Sequence, residues 1–118
     1  MKLLTLAQFT KLLDNGRRQA AVKGTSAEID FHPVVKLFTP DGAATWLLTE
    51  IDPACPDIAF GLCDLGMQCP ELGSVSLTEL AHVRGRLGLR IERDLYFTAK
   101  QPLSAYADAA RKAGAIVT

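Results

Sequence analysis

The sequence predicts an α+β fold: a single domain in which an antiparallel β-meander of four to five strands packs with about three helices. Three observations lead there. Short apolar runs between residues 33 and 75 are joined by turns too short for a parallel crossover. Thr5 and Ser76 each carry the paired signals of a helix start. Residues 103–113 have small and apolar side chains at helical spacing, with Gly114 behind them. A chain of 118 residues can bury one core without metal or disulfide, and 48% hydrophobic with 22% charged residues are ordinary globular values that exclude overall disorder.

The first helix is expected over 5–15. The Thr5 hydroxyl caps the third helical amide while Gln8 reaches back, and Leu4 and Phe9 stand at hydrophobic-staple spacing. Leu6, Phe9 and Leu13 then share a face, and Asn15-Gly16 supplies a left-handed end. Residues 17–30 are polar and small and carry no firm structural signal. Pro33 opens a strand over 34–39, Pro40-Asp41-Gly42 is a hairpin turn in which Gly42 takes positive φ, and Ala44–Ile51 returns as the second strand.

In the third strand, 58–63, Ile58, Phe60 and Leu62 share one face, and Ala59, Gly61 and Cys63 share the other. That second face is bare, a place for close packing by a helix or another backbone, or for a ligand. A short strand over 73–75 leads into a helix over 76–84, with Glu79 at the reciprocal capping position. Residues 89–97 alternate as a further strand, in which Arg93 interrupts the apolar series and marks an edge or a paired arginine. The last helix, 103–113, carries Leu103, Tyr106, Ala110 and Ala113 as its stripe. The sheet is thus expected over 33–75 and 89–97, with no internal repeat or domain-separating linker.

A net charge of zero hides three blocks. Residues 1–24 hold five bases against Asp14, residues 25–79 hold nine acids against Lys36, and residues 80–118 hold seven bases against Glu92, Asp94 and Asp108. The blocks therefore carry +4, −8 and +4.

Five acids, Glu50, Asp52, Asp57, Asp64 and Glu71, fall at strand ends or in loops. If they converge they form an acidic surface or a divalent-cation site; turn chemistry is the plainer explanation. Arg84, Arg86, Arg90 and Arg93 form a candidate basic patch beside Lys100 and Tyr96, suited to phosphates and one stacked base. Cys63 or Cys69, with His82 or His32 as base, is a candidate nucleophile, and Cys55 completes an odd set of three that fits no disulfide or zinc spacing. No phosphate loop, dinucleotide fingerprint or serine elbow occurs, so no cofactor and no catalytic residue is assigned.

The strings VVKLFTP, ATWLLTEIDP, DIAFGLCDLG, PELGSVSLTEL, LGLRIERDLYF and PLSAYA resemble the small bacterial family DUF2958, from about Leu3 to Val117. The resemblance implies genes carried on plasmids and integrative elements and transfers no catalytic residues. It also implies that Cys55 and Cys69 stand where relatives carry other residues.

The expected function is a non-catalytic protein-binding accessory module of a mobile genetic element, its acidic surface, residues 41–79, facing a basic partner. The alternatives are a small metal-dependent hydrolase built on the strand-end carboxylates and a nucleic-acid-binding protein built on Arg84–Arg93. Gln8, Thr10 and Lys11 interrupt the N-terminal apolar run, and no run approaches the roughly 20 residues of a membrane span. The expectation is a cytoplasmic protein without a membrane partner.

Overall fold

The computed structural model describes residues 3–118. Its elements are α1 (Leu6–Val22), β1 (Val35–Phe38), β2 (Thr45–Ile51), β3 (Ile58–Asp64), β4 (Glu71–Ser76), α2 (Leu77–His82), β5 (Glu92–Arg93) and α3 (Leu103–Ala113). The five strands form one antiparallel sheet in the order β4-β3-β2-β1-β5. The fold is α+β, as its alternating runs and short turns predict. No helix among the described residues is long and apolar enough to cross a membrane.

The period of two in the strands sorts side chains between two layers. Val35, Leu37, Trp46, Leu48, Ile51 and Ala59 face Leu12 of α1 and Leu80 of α2. Leu47 and Leu62, paired across β2 and β3, face Leu103, Tyr106, Ala107 and Ala110 of α3. Leu48 and Ile51 are three residues apart yet lie in the same layer, because a bulge between Leu48 and Glu50 inserts one residue into β2.

The Thr5 capping box is present, with both reciprocal bonds at 3.0 Å. The helix it starts does not end at Asn15-Gly16 but continues to Val22. Tertiary packing outweighs the left-handed signal. Asn15 is buried and donates its Nδ2 to the Thr49 carbonyl at 2.9 Å, where the β2 bulge interrupts the ladder. Gly16 lies so close to β2 that a Cβ built on it would stand 1.7 Å from the Ile51 carbonyl oxygen. The buried face of α1 is accordingly centred on Leu12, Asn15 and Gly16, and Leu6, expected inside, is 81% exposed.

Two further expectations change. Gly42 does not take positive φ; it fits because a Cβ there would lie 2.9 Å from Thr39 Oγ1. The strand expected over 89–97 is reduced to Glu92–Arg93, extended by one bond from the Asp94 amide to the Lys36 carbonyl. β1 is only four residues long, so the edge strand has little to pair with, and of the alternating apolar residues Ile91 alone is fully buried. Arg93 does sit at the sheet edge, where its Nη1 donates to the Leu3 carbonyl at 3.1 Å.

Candidate functional site

The meander places the β1–β2 and β3–β4 turns at one end of the sheet and the β2–β3 turn at the other. Glu50, Asp52 and Asp57 therefore lie at one end, Asp64 and Glu71 at the other. The five acids do not converge. No group of three His, Cys, Asp or Glu among the described residues could hold a metal ion.

Most of these acids work within the fold. Asp57 accepts from the Ser76 hydroxyl at 2.5 Å and from the Thr78 amide and hydroxyl at 2.9 and 2.7 Å. These bonds, led by the one from Ser76, hold its carboxyl below the usual range and tie the β2–β3 turn to the start of α2. Ser76 caps Glu79 as expected, and the contacts that complete this helix start come from Asp57. Asp64, 2% exposed, accepts from the Gly66 amide at 2.8 Å and the Ile116 amide at 3.0 Å, joining its own turn to the C-terminal segment. Asp52 accepts from the Ala54 amide in its turn, and Glu71 is exposed on the edge strand.

Glu50 differs. It is half-buried, and burial raises its pKa, offset in part by a hydrogen bond with Gln19 and by the charge of Lys23, with Glu28 acting in the same direction as burial. With Asp52 and Ala59 it lines a cleft between the C-terminal half of α1 and the β2–β3 end of the sheet.

On the bare face of β3, Ala59 is packed in the core and Cys63 is partly buried. Burial raises the Cys63 pKa, opposite to what a nucleophile needs. At Gly61 the close neighbour is the adjacent strand: a Cβ would lie 1.9 Å from the Leu47 carbonyl oxygen and 2.8 Å from the Leu48 Cα. Cys55 and Cys69 are exposed and free, and His82 Nδ1 lies 2.7 Å from the Thr78 carbonyl of its own helix.

The arginines lie on the most irregular part of the chain. Arg84 and Arg90 face each other across an isolated bridge, and the Gly88 amide closes a turn onto the Gly85 carbonyl. Asp41, from the β1–β2 turn, enters this loop: its Oδ2 accepts from the Leu87 amide at 2.6 Å and the Leu89 amide at 3.4 Å. Gly85 makes room for it: a Cβ there would fall 1.6 Å from Asp41 Oδ1, and the carboxylate would have to shift. On the same β1–β2 turn, Ala43 packs against Gly66 of the β3–β4 turn, 2.8 Å from where a Gly66 Cβ would stand.

Three loops thus meet at one end of the sheet and leave Leu65, Met67, Leu87 and Leu89 exposed beside Arg84, Arg86 and Arg90. The sequence reading places Asp41 in an acidic surface and Leu89 on the apolar face of a strand, and gives Leu65, Met67 and Leu87 no role. Their signal was present in LGM and RLGL, apolar residues flanking turn glycines, where no buried element could claim them.

Comparison with curated proteins and with solved structures gave no match. A family model described as "Protein of unknown function (DUF2958)" matches residues 3–117, nearly the whole chain. The protein belongs to the DUF2958 family.

Proposed function

We propose that this protein is a non-catalytic protein-binding module, an accessory of a mobile genetic element, and that it engages its partner through the loop end of the sheet. One observation carries the reading: Leu65, Met67, Leu87 and Leu89 are exposed on loops that are hydrogen-bonded and packed to one another around the β1–β2 turn. Clustered exposed apolar side chains mark interaction sites, and those held in place before binding lose little entropy on association. Arg84, Arg86 and Arg90 are exposed around them and supply a charged rim. Phosphates need the cations and make no use of aliphatic tips, which favours a protein over a nucleic acid. The acidic surface expected over 41–79 has no part in this reading, because its aspartates are bonded to the protein's own amides.

Photocross-linking in the host cell tests it. A benzophenone side chain at Leu87, and separately at Met67, should capture the same partner, identified by mass spectrometry. The same group at Ser26, exposed on the segment after α1, should not. Arg86→Glu should abolish capture from Leu87. Equal capture from all three positions, or none from the loop end, would overturn the proposal.

A further inference from the structure

The cleft beside Glu50 lies at the other end of the sheet from those loops and supports a separate inference. It is lined by Gly16, Gln19 and Ala20 of α1 together with residues of β2, β3 and the turn between them. Its volume is about 270 Å³, room for a small head group with a short stem. Pro53, Ala59 and Phe60 form an apolar wall. The lining also includes three carboxylates, Glu28, Glu50 and Asp52, and one ammonium, Lys23. The lining therefore carries two more negative than positive charges. The segment bearing Glu28 is held in place by Gln19, whose side chain bonds both the amide and the carbonyl of Ile29, at 2.9 and 2.7 Å.

These features select among cations. The carboxylates are not grouped closely enough to ligate a metal ion directly. An apolar wall with an aromatic ring is wasted on a hydrated inorganic ion but suits an organic cation, whose stem packs on the wall and whose charge meets the carboxylates. Half-buried Glu50 has only the partial compensation of Gln19 and Lys23, and an incoming cation would add to it.

We propose that this cleft is a binding site for an organic cation, a guanidinium or alkylammonium group on a stem the size of an arginine or lysine side chain. Such a group reaches the site either as a free small molecule or as a side chain of a basic peptide, and the chemistry of recognition is the same.

The experiment is an amide chemical-shift titration of the whole protein with Nα-acetyl-arginine amide, n-butylamine and the neutral isostere Nα-acetyl-citrulline amide, at constant ionic strength. Both cations should give saturable shifts at Gly16, Ala20 and Ala59, with affinity on the order of millimolar for so small a ligand, and the citrulline should not. Glu50→Gln should weaken binding about tenfold, the effect of losing one charge-assisted contact in a partly buried site. Lys23→Met removes the competing cation and should strengthen binding; Lys23 is exposed, so this variant does not depend on Glu50→Gln folding. A pentapeptide Ala-Ala-Arg-Ala-Ala binding more tightly than the blocked amino acid identifies a peptide source, and equal affinity a free small molecule; either supports the site. Absence of saturable shifts, equal shifts from the citrulline, or weaker binding by Lys23→Met would overturn it.

Discussion

Replacing Gly16 with alanine separates this structure from any in which α1 ends at Asn15-Gly16. On helix propensity alone, Gly→Ala inside a helix stabilises by about 1 kcal/mol. Here the new Cβ would stand 1.7 Å from the Ile51 carbonyl oxygen and 2.8 Å from its carbon. Both are backbone atoms of a core strand, so no rotamer change relieves the contact. Restoring an ordinary separation requires α1 to retreat by roughly 1.5 Å, which would loosen Leu12 and lengthen the Asn15–Thr49 bond that now spans 2.9 Å. Overpacking of this kind costs about 1–3 kcal/mol and occasionally more. With backbone on the far side we take roughly 3–4 kcal/mol, and the propensity gain leaves a net loss of about 2–3 kcal/mol. In urea denaturation the midpoint should fall with the slope unchanged, and thermal unfolding should shift down by roughly 10 °C. A variant more stable than the parent would refute the reasoning, since it would place Gly16 where its Cβ meets solvent.

Three other outcomes follow from named contacts. Asp57 has its folded pKa lowered from 3.8, so its contribution to stability is present above that value and is lost as pH falls through the folded one. Asp57→Asn should therefore unfold more easily at pH 7 and lose less on acidification to pH 3, measured as urea midpoints; identical pH dependence would exclude the role. Glu50 has its folded pKa raised from 4.5, so the reverse holds: it is protonated in both states below 4.5 and disfavours folding increasingly as pH rises through its folded value. Glu50→Gln should match the parent near pH 3.5 and exceed it at pH 7, by chemical denaturation at both pH values. Asp41→Ala should free the 85–89 loop, raising hydrogen exchange at the Leu87 amide about tenfold, as loss of a bond to a charged acceptor implies, while exchange in α3 stays unchanged. Persistent protection at Leu87 would show that the loop holds without Asp41.

Local signals were legible where local physics decides. The Thr5 box, the Ser76 cap, the alternation of β3 and the extent of α3 are set by neighbours within one or two turns, and each stands in the structure. The end of α1 was illegible because it depends on Thr49 and Ile51, more than 30 residues away. The same holds at α3: Pro102 provides no side-chain cap, and the Ser104 amide and hydroxyl are bonded by Asp30 from 74 residues upstream. The strand over 89–97 failed for another reason. Alternation reports that a strand could be half-buried, but it does not report whether a neighbouring strand is long enough to receive it.

Residue type within the acidic block held a finer signal than net charge. All five aspartates of residues 25–79 accept a backbone amide: Asp30 from Ser104, Asp41 from Leu87 and Leu89, Asp52 from Ala54, Asp57 from Thr78, and Asp64 from Gly66 and Ile116. Among the described residues none of the four glutamates, Glu28, Glu50, Glu71 and Glu79, accepts one. A carboxylate one methylene from the backbone loses less freedom in bonding a nearby loop amide than the longer side chain does. The charge of −8 therefore divides into aspartates that hold loops together and glutamates left for other uses. Arg84, Arg86 and Arg90 make no ion pair with the block among the described residues. A neutral protein thus exposes unpaired cations at one end of its sheet and an under-compensated glutamate in a cleft at the other.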